Sequence, residues 1–174
     1  SDSDGRTRYW MAEGLGDVQM LRGQYSAAAQ MFEAASLLSK DKVTRAHVEV
    51  RLGELAFKLG DMDKAIGAYE RALELLGHRV PQWSAVFLIQ LVWQAVVQAF
   101  HTMLPALFVG RKKLVDADKQ LLIIRLHNRL TYAYWFGRGQ IPCLWTHLRG
   151  MNLAERYPPT RELAHAYSYH APVM

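Results

Sequence analysis

Cysteine is nearly absent from this sequence. The single Cys143 among 174 residues excludes an internal disulfide and any cysteine-based zinc cluster, and it agrees with a reducing compartment. Charge is missing from one long stretch: residues 80–110 contain no Asp, Glu, Lys or Arg. A phosphate loop is missing too. Gly-x-Gly occurs at Gly14-Leu15-Gly16 and Gly137-Arg138-Gly139, but no strand pattern precedes either and no Gly-Lys-Ser/Thr follows. The histidines do not recur at metal-ligand spacing, and no acidic pair in an apolar setting offers an acid/base couple. Neither catalysis nor a cofactor is expected. The opening Ser1-Asp2-Ser3-Asp4-Gly5 has no apolar run behind it, so no signal peptide is expected. The chain begins without methionine and stops at Pro172-Val173-Met174 with a further helix under way, as expected of a piece of a longer, cytoplasmic protein.

What is present is an ordinary globular mixture, 51% hydrophobic and 21% charged, enough for one domain with a sizeable core. The net charge of +5 is unevenly placed. Residues 1–80 hold eleven Lys/Arg against twelve Asp/Glu, whereas residues 111–156 hold nine against three. The basic character therefore belongs to the C-terminal part of the chain.

An internal repeat organises the first half. LGELAFKLGDMDKAIGAYERALELL, residues 52–76, echoes LGDVQMLRGQYSAAAQMFEAASLL, residues 15–38, at an offset of thirty-seven. Gly16 falls on Gly53, Gly23 on Gly60, Ala28 on Ala65, Phe32 on Tyr69 and Ala35 on Ala72. Such self-similarity is the signature of a helical solenoid. Helices are expected over 9–21, where Trp10, Leu15, Val18 and Leu21 recur near helical period, and over 25–38, 43–58 and 62–76. Gly23 and Gly60 end the first helix of each pair, and Asp61 caps the helix that follows it. The connecting loops are too short for anything but antiparallel hairpins.

The charge-free stretch predicts a long apolar helix over 81–109, with Trp83, Phe87, Leu91, Trp93, Val97 and Phe100 around it. Gln90, Gln94 and Gln98 recur every four residues and make one narrow polar stripe. Pro105 should end or kink it near Thr102. Its length suffices for a membrane span, but the glutamine stripe favours a helix buried between repeats or docked on a neighbouring domain. Beyond it come the basic turn Arg111-Lys112-Lys113, a helix over 114–136, a turn at Gly137-Arg138-Gly139 and a helix from Pro142 to about residue 157. Thr160 opens a last helix over 160–169.

Leu-Gly at Leu15-Gly16 and Leu52-Gly53, followed by Ala28-x-x-x-Phe32 and Ala65-x-x-x-Tyr69, resembles the tetratricopeptide repeat. The tryptophan, tyrosine and closing proline of the pattern are absent: Ala12 and Glu49, then Gln19 and Ala56, stand at the two aromatic positions. The resemblance implies an all-α, TPR-like helical-hairpin solenoid forming a single domain, 1–174. Its clear repeats are 9–42 and 46–79, with an apolar helix inserted at 81–110, a diverged repeat at about 114–157 and a further helix at 160–170. It also implies a concave wall built by the first helix of each pair. Here that wall carries Trp10, Glu13, Asp17 and Met20, then His47, Val50, Glu54 and Phe57, each set at three- and four-residue steps. The lysines and asparagines with which some family members clamp an acidic chaperone tail are missing, so basic or apolar segments are the expected ligands.

The wording from Gly77-His78-Arg79-Val80-Pro81 through Asn152-Leu153-Ala154-Glu155-Arg156-Tyr157-Pro158-Pro159 is similar to the repeat region that follows the ATPase domain in large bacterial signalling proteins. That implies a non-catalytic protein–protein interaction or regulatory scaffold, binding a peptide or helix or docking its own neighbouring domains. Self-association through 81–110 is a further expectation. Two alternatives stand beside it. A basic surface of Arg111, Lys112, Lys113, Lys119, Arg125 and Arg129, with Tyr132, Tyr134 and Trp135, could hold nucleic acid. Residues 81–110 could anchor a scaffold in a membrane. Neither is the expected partner. Cys143 and His147, four apart on one helical face, could make an activated thiol, but a packed cysteine is the stronger expectation.

Overall fold

The computed structural model describes residues 2–115, 117–168 and 170, apart from the side chains of residues 2 and 3. Among the described residues there are nine helices and no strand, and the fold is an all-α, TPR-like helical repeat. The chain divides into two compact units, Ser1–Arg79 and Val80–Met174.

The first unit is two helical hairpins. Helix α1 (Asp2–Leu21) pairs with α2 (Tyr25–Leu38), and α3 (Lys42–Lys58) pairs with α4 (Met62–Leu75). Gly23 and Gly60 take φ of 75° and 79°, the left-handed conformation that ends a helix at no cost to glycine. The amides of Gln24 and Asp61 return to the carbonyls of Gln19 and Ala56 at 2.9 Å each, so the two turns are one structure made twice. Asp61 caps α4 through Lys64 N at 3.1 Å, as its position predicts. Asp41 does the same for α3, its Oδ1 accepting from the amides of Val43 and Thr44 at 2.9 Å.

The repeat offset is visible in the packing. A Cβ on Gly16 would lie 2.5 Å from Cε1 of Phe32, and a Cβ on Gly53 would lie 2.5 Å from Cε1 of Tyr69. Both rings are buried, so each glycine is the hole into which an aromatic ring of its partner helix fits. Around Phe32 the core gathers Tyr9, Met20, Ala28, Ala35, Val48 and Leu55. Trp10, Leu15, Val18 and Leu21, whose spacing marks α1, lie on its exposed side. Its buried face is Tyr9, Glu13, Gly16 and Met20, because only the glycine side can approach Phe32.

The second unit contains α5 (Ser84–Met103), α6 (Pro105–Phe108), α7 (Asp118–Gly137), α8 (Gln140–Ala154) and α9 (Arg161–Ser168). Pro105 ends α5 and occupies the first position of α6. Helices α7 and α8 form a third hairpin, turned at Gly139 with φ of 88°. Gly150 passes so close to α7 that a Cβ there would lie 2.9 Å from Cβ of His127. Phe87, Tyr134, Trp145 and His127 pack edge to face, with Phe87 5.2 Å and His127 5.8 Å from the Trp145 ring. Thr160 caps α9 through Leu163 N at 3.2 Å; Tyr169 and Pro172-Val173-Met174 lie outside the described residues.

Helix α5 is inside out. It packs on α8 with its glutamine face, while Leu88, Ile89, Val92, Trp93, Val96 and Phe100 are exposed. It is long and apolar enough to cross a membrane, and only 17% of that stretch is buried. The expectation that it is buried between repeats is therefore not met. Gln94 and Gln98 find partners in α8 and at its C-terminal cap, and that choice turns the apolar side outward. Asn152 donates to the Gln94 carbonyl and to its Oε1 at 2.9 and 3.0 Å. Glu155 accepts from Gln98 at 3.1 Å and Tyr167 at 2.8 Å, and its other oxygen lies 2.6 Å from His101 Nδ1.

Candidate functional site

The wall formed by α1 and α3 is acidic and partly closed. Trp10 is exposed, and Asp17, His47 and Phe57 are half-buried, while Glu13, Met20, Val50 and Glu54 are buried. Arg51, which sequence reasoning passed over, ties the two helices together. Its guanidinium reaches Asp17 Oδ2 at 2.8 Å and Glu54 Oε2 at 3.2 Å. The signal was present: Asp17 and Glu54 are repeat-equivalent, and Arg51 lies three residues before Glu54 on the same face.

One arginine does not neutralise this wall. Burial raises the Asp17 carboxyl above the ordinary carboxylate range, with Arg51 pulling it down and Glu54 pushing it up. Its second oxygen, Oδ1, is buried without a hydrogen-bond partner among the described residues. Burial and the adjoining Glu13 carboxylate raise the Tyr9 phenol, which hydrogen-bonds Glu13. At the N-terminal end of α1, Arg6, Tyr9 and Trp10 face Leu38, Asp41 and Thr44 across a cleft of about 360 Å³. The wall thus carries two carboxylates against the one Arg51 guanidinium, with the exposed Trp10 indole at its edge.

The basic candidates are exposed but not all idle. The Arg111 guanidinium donates to the Ala106 carbonyl, Lys112 stands 5.7 Å over the Tyr157 ring and Arg125 lies 3.4 Å from Glu162. Lys113, Lys119 and Arg129 are exposed as well. Of the aromatic candidates, Tyr132 and Trp135 are exposed, whereas Tyr134 is fully buried under Phe87.

Cys143 is fully buried, and burial pushes its thiol up to about 11. A thiol held protonated away from solvent is a packing group, not a nucleophile. Ellman's reagent is expected to leave native protein unlabelled and to titrate one thiol after unfolding. Rapid labelling of native protein would contradict the packing described. His147 lies beside His170 instead, Nε2 to Nδ1 at 3.1 Å with stacked rings. Burial first, and the charge of His170 second, hold its pKa down to about 4.

Because the folded value lies below the ordinary 6.5, the unfolded chain binds the extra proton first as pH falls. The stability associated with neutral His147 is complete above pH 6.5 and is lost progressively toward pH 4, by about 2 to 3 kcal/mol. Urea unfolding at pH 7.5 and 4.5 should show this loss in the native sequence, and a correspondingly smaller one in His147→Gln. No group of three or more His, Cys, Asp or Glu side chains among the described residues could hold a metal ion.

The tetratricopeptide repeat family matches residues 47–78, which is the second hairpin from within α3 to just beyond α4. Repeats of this family are typically non-catalytic modules that bind proteins or peptides. The match agrees with the TPR-like helical repeat of the first unit and suggests a protein–protein interaction scaffold. No curated protein and no solved structure matches the chain.

Proposed function

We propose that the α1/α3 wall binds a basic or apolar peptide or helix, making this chain a regulatory scaffold module of a larger cytoplasmic bacterial signalling protein. The observation that carries this is the Asp17–Arg51–Glu54 cluster, two carboxylates sharing one guanidinium, beside the exposed Trp10 and half-buried Phe57. A lysine or arginine entering the groove would be attracted by carboxylates that outnumber Arg51, and apolar side chains would cover Trp10 and Phe57. An acidic tail would meet repulsion from Asp17, Glu13 and Glu54.

The test is calorimetric titration of the full chain with a helical Lys/Leu peptide and with a peptide ending Glu-Glu-Val-Asp. The basic peptide is expected to bind, and Asp17→Asn to weaken it about tenfold. Equal binding of the acidic peptide would defeat the proposal. A phosphate-loop ATPase preceding this segment in its parent chain would support the signalling context.

A further inference from the structure

We infer that the outer face of α5 and α6 docks on an anionic lipid surface, with the helix lying in the plane of the membrane instead of crossing it. The inference is independent of the α1/α3 groove. It begins with the reversed polarity of α5. In a water-facing helix the apolar side is buried and the polar side solvated. Here Gln94, Gln98 and His101 are spent on Asn152 and Glu155 of the second unit, and the solvent side carries Ile89, Trp93 and Met103, exposed by 69%, 62% and 76%. The face continues through Leu104, between the two helices, and Leu107 and Phe108 of α6. An apolar surface of this length without one charged residue marks a docking site.

Charge selects the occupant. The uncharged stretch runs into Arg111-Lys112-Lys113, exposed, with the Arg111 guanidinium bonded to the Ala106 carbonyl of α6. The basic turn thus adjoins the end of the apolar face. A second copy could bury the apolar side chains, but residues 80–110 offer no carboxylate to the incoming basic turn in either orientation. A bilayer with anionic headgroups answers both halves. Its acyl region takes the aliphatic and aromatic side chains, and its phosphates take the cations. Spanning is the wrong geometry, because α8 packs along the polar side of α5 and carries Arg149 and Asn152 with it.

Flotation of the full chain with vesicles of phosphatidylcholine alone, or with about a third phosphatidylglycerol, decides the question. Binding to the anionic vesicles is expected to be at least about tenfold tighter and to weaken in high salt. Tryptophan fluorescence should shift to the blue as Trp93 enters the interface. Ile89→Glu/Trp93→Glu should abolish binding while leaving the helical circular dichroism unchanged, since both side chains face solvent. The triple change of Arg111, Lys112 and Lys113 to Gln should remove the preference for anionic lipid and leave Asp17-dependent peptide binding intact. Absence of binding, equal binding to neutral vesicles, or native-like binding by the double variant would each overturn the proposal. So would a dimer, seen by light scattering, that Ile89→Glu/Trp93→Glu dissociates in a protein that does not bind vesicles; the face would then belong to a second copy.

Discussion

Gly53→Ala is expected to destabilise the first unit by about 1 to 3 kcal/mol, although alanine is the better helix former by about 1 kcal/mol. The added Cβ would lie 2.5 and 2.7 Å from two atoms of the Tyr69 ring, which is 1% exposed and has nowhere to swing. Overpacking therefore outweighs propensity. Thermal unfolding followed by circular dichroism measures the loss. In a Tyr69→Leu background the same substitution should cost under about 0.5 kcal/mol, because the two residues share one contact. Gly16→Ala should behave alike against Phe32, whose ring atoms stand at the same distances. A harmless Gly16→Ala beside a damaging Gly53→Ala would break the structural equivalence of the two hairpins. A larger side chain at either glycine should separate the hairpin altogether.

Glu155→Ala is expected to be the most damaging single change in the second unit, by about 3 to 5 kcal/mol. Glu155 is buried and accepts hydrogen bonds from Gln98, Tyr167 and His101. Removing it strands the buried His101 and leaves the partly buried Gln98 and the half-exposed Tyr167 without their acceptor. Burial, together with this carboxylate, pushes the Tyr167 phenol up to about 12. Glu155→Gln keeps an acceptor and should cost markedly less. The control is Ile89→Ala on the outer face of α5, which should stay within about 0.5 kcal/mol despite removing a large apolar side chain. Urea titrations of the three variants rank them. If Ile89→Ala costs as much as Glu155→Ala, the orientation of α5 described here is wrong.

That orientation is where reading by sequence and folding in space part company. The glutamine stripe at Gln90, Gln94 and Gln98 is plain in the sequence, and so is the apolar surround. Periodicity reports that two faces differ, without saying which one meets the protein. The answer came from Asn152 and Glu155, more than fifty residues away, whose side chains need hydrogen-bond partners inside the unit. The same limit applies to α1. Its regular apolar positions are exposed, while the buried face includes Gly16, against which the Phe32 ring packs. Arg51 was missed for a related reason: an arginine between acidic residues of two separate helices is visible as a bridge only once those helices are adjacent.

The helices, their caps and turns, and the twofold recurrence of Gly16–Phe32 and Gly53–Tyr69 are properties of the chain read in order. They depend on contacts within one hairpin, between residues about sixteen positions apart. Which side of α5 faces solvent, how Arg51 is shared and how His147 meets His170 were decided only when distant helices came together. Those outcomes rest on hydrogen bonds and burial between residues that no local pattern connects.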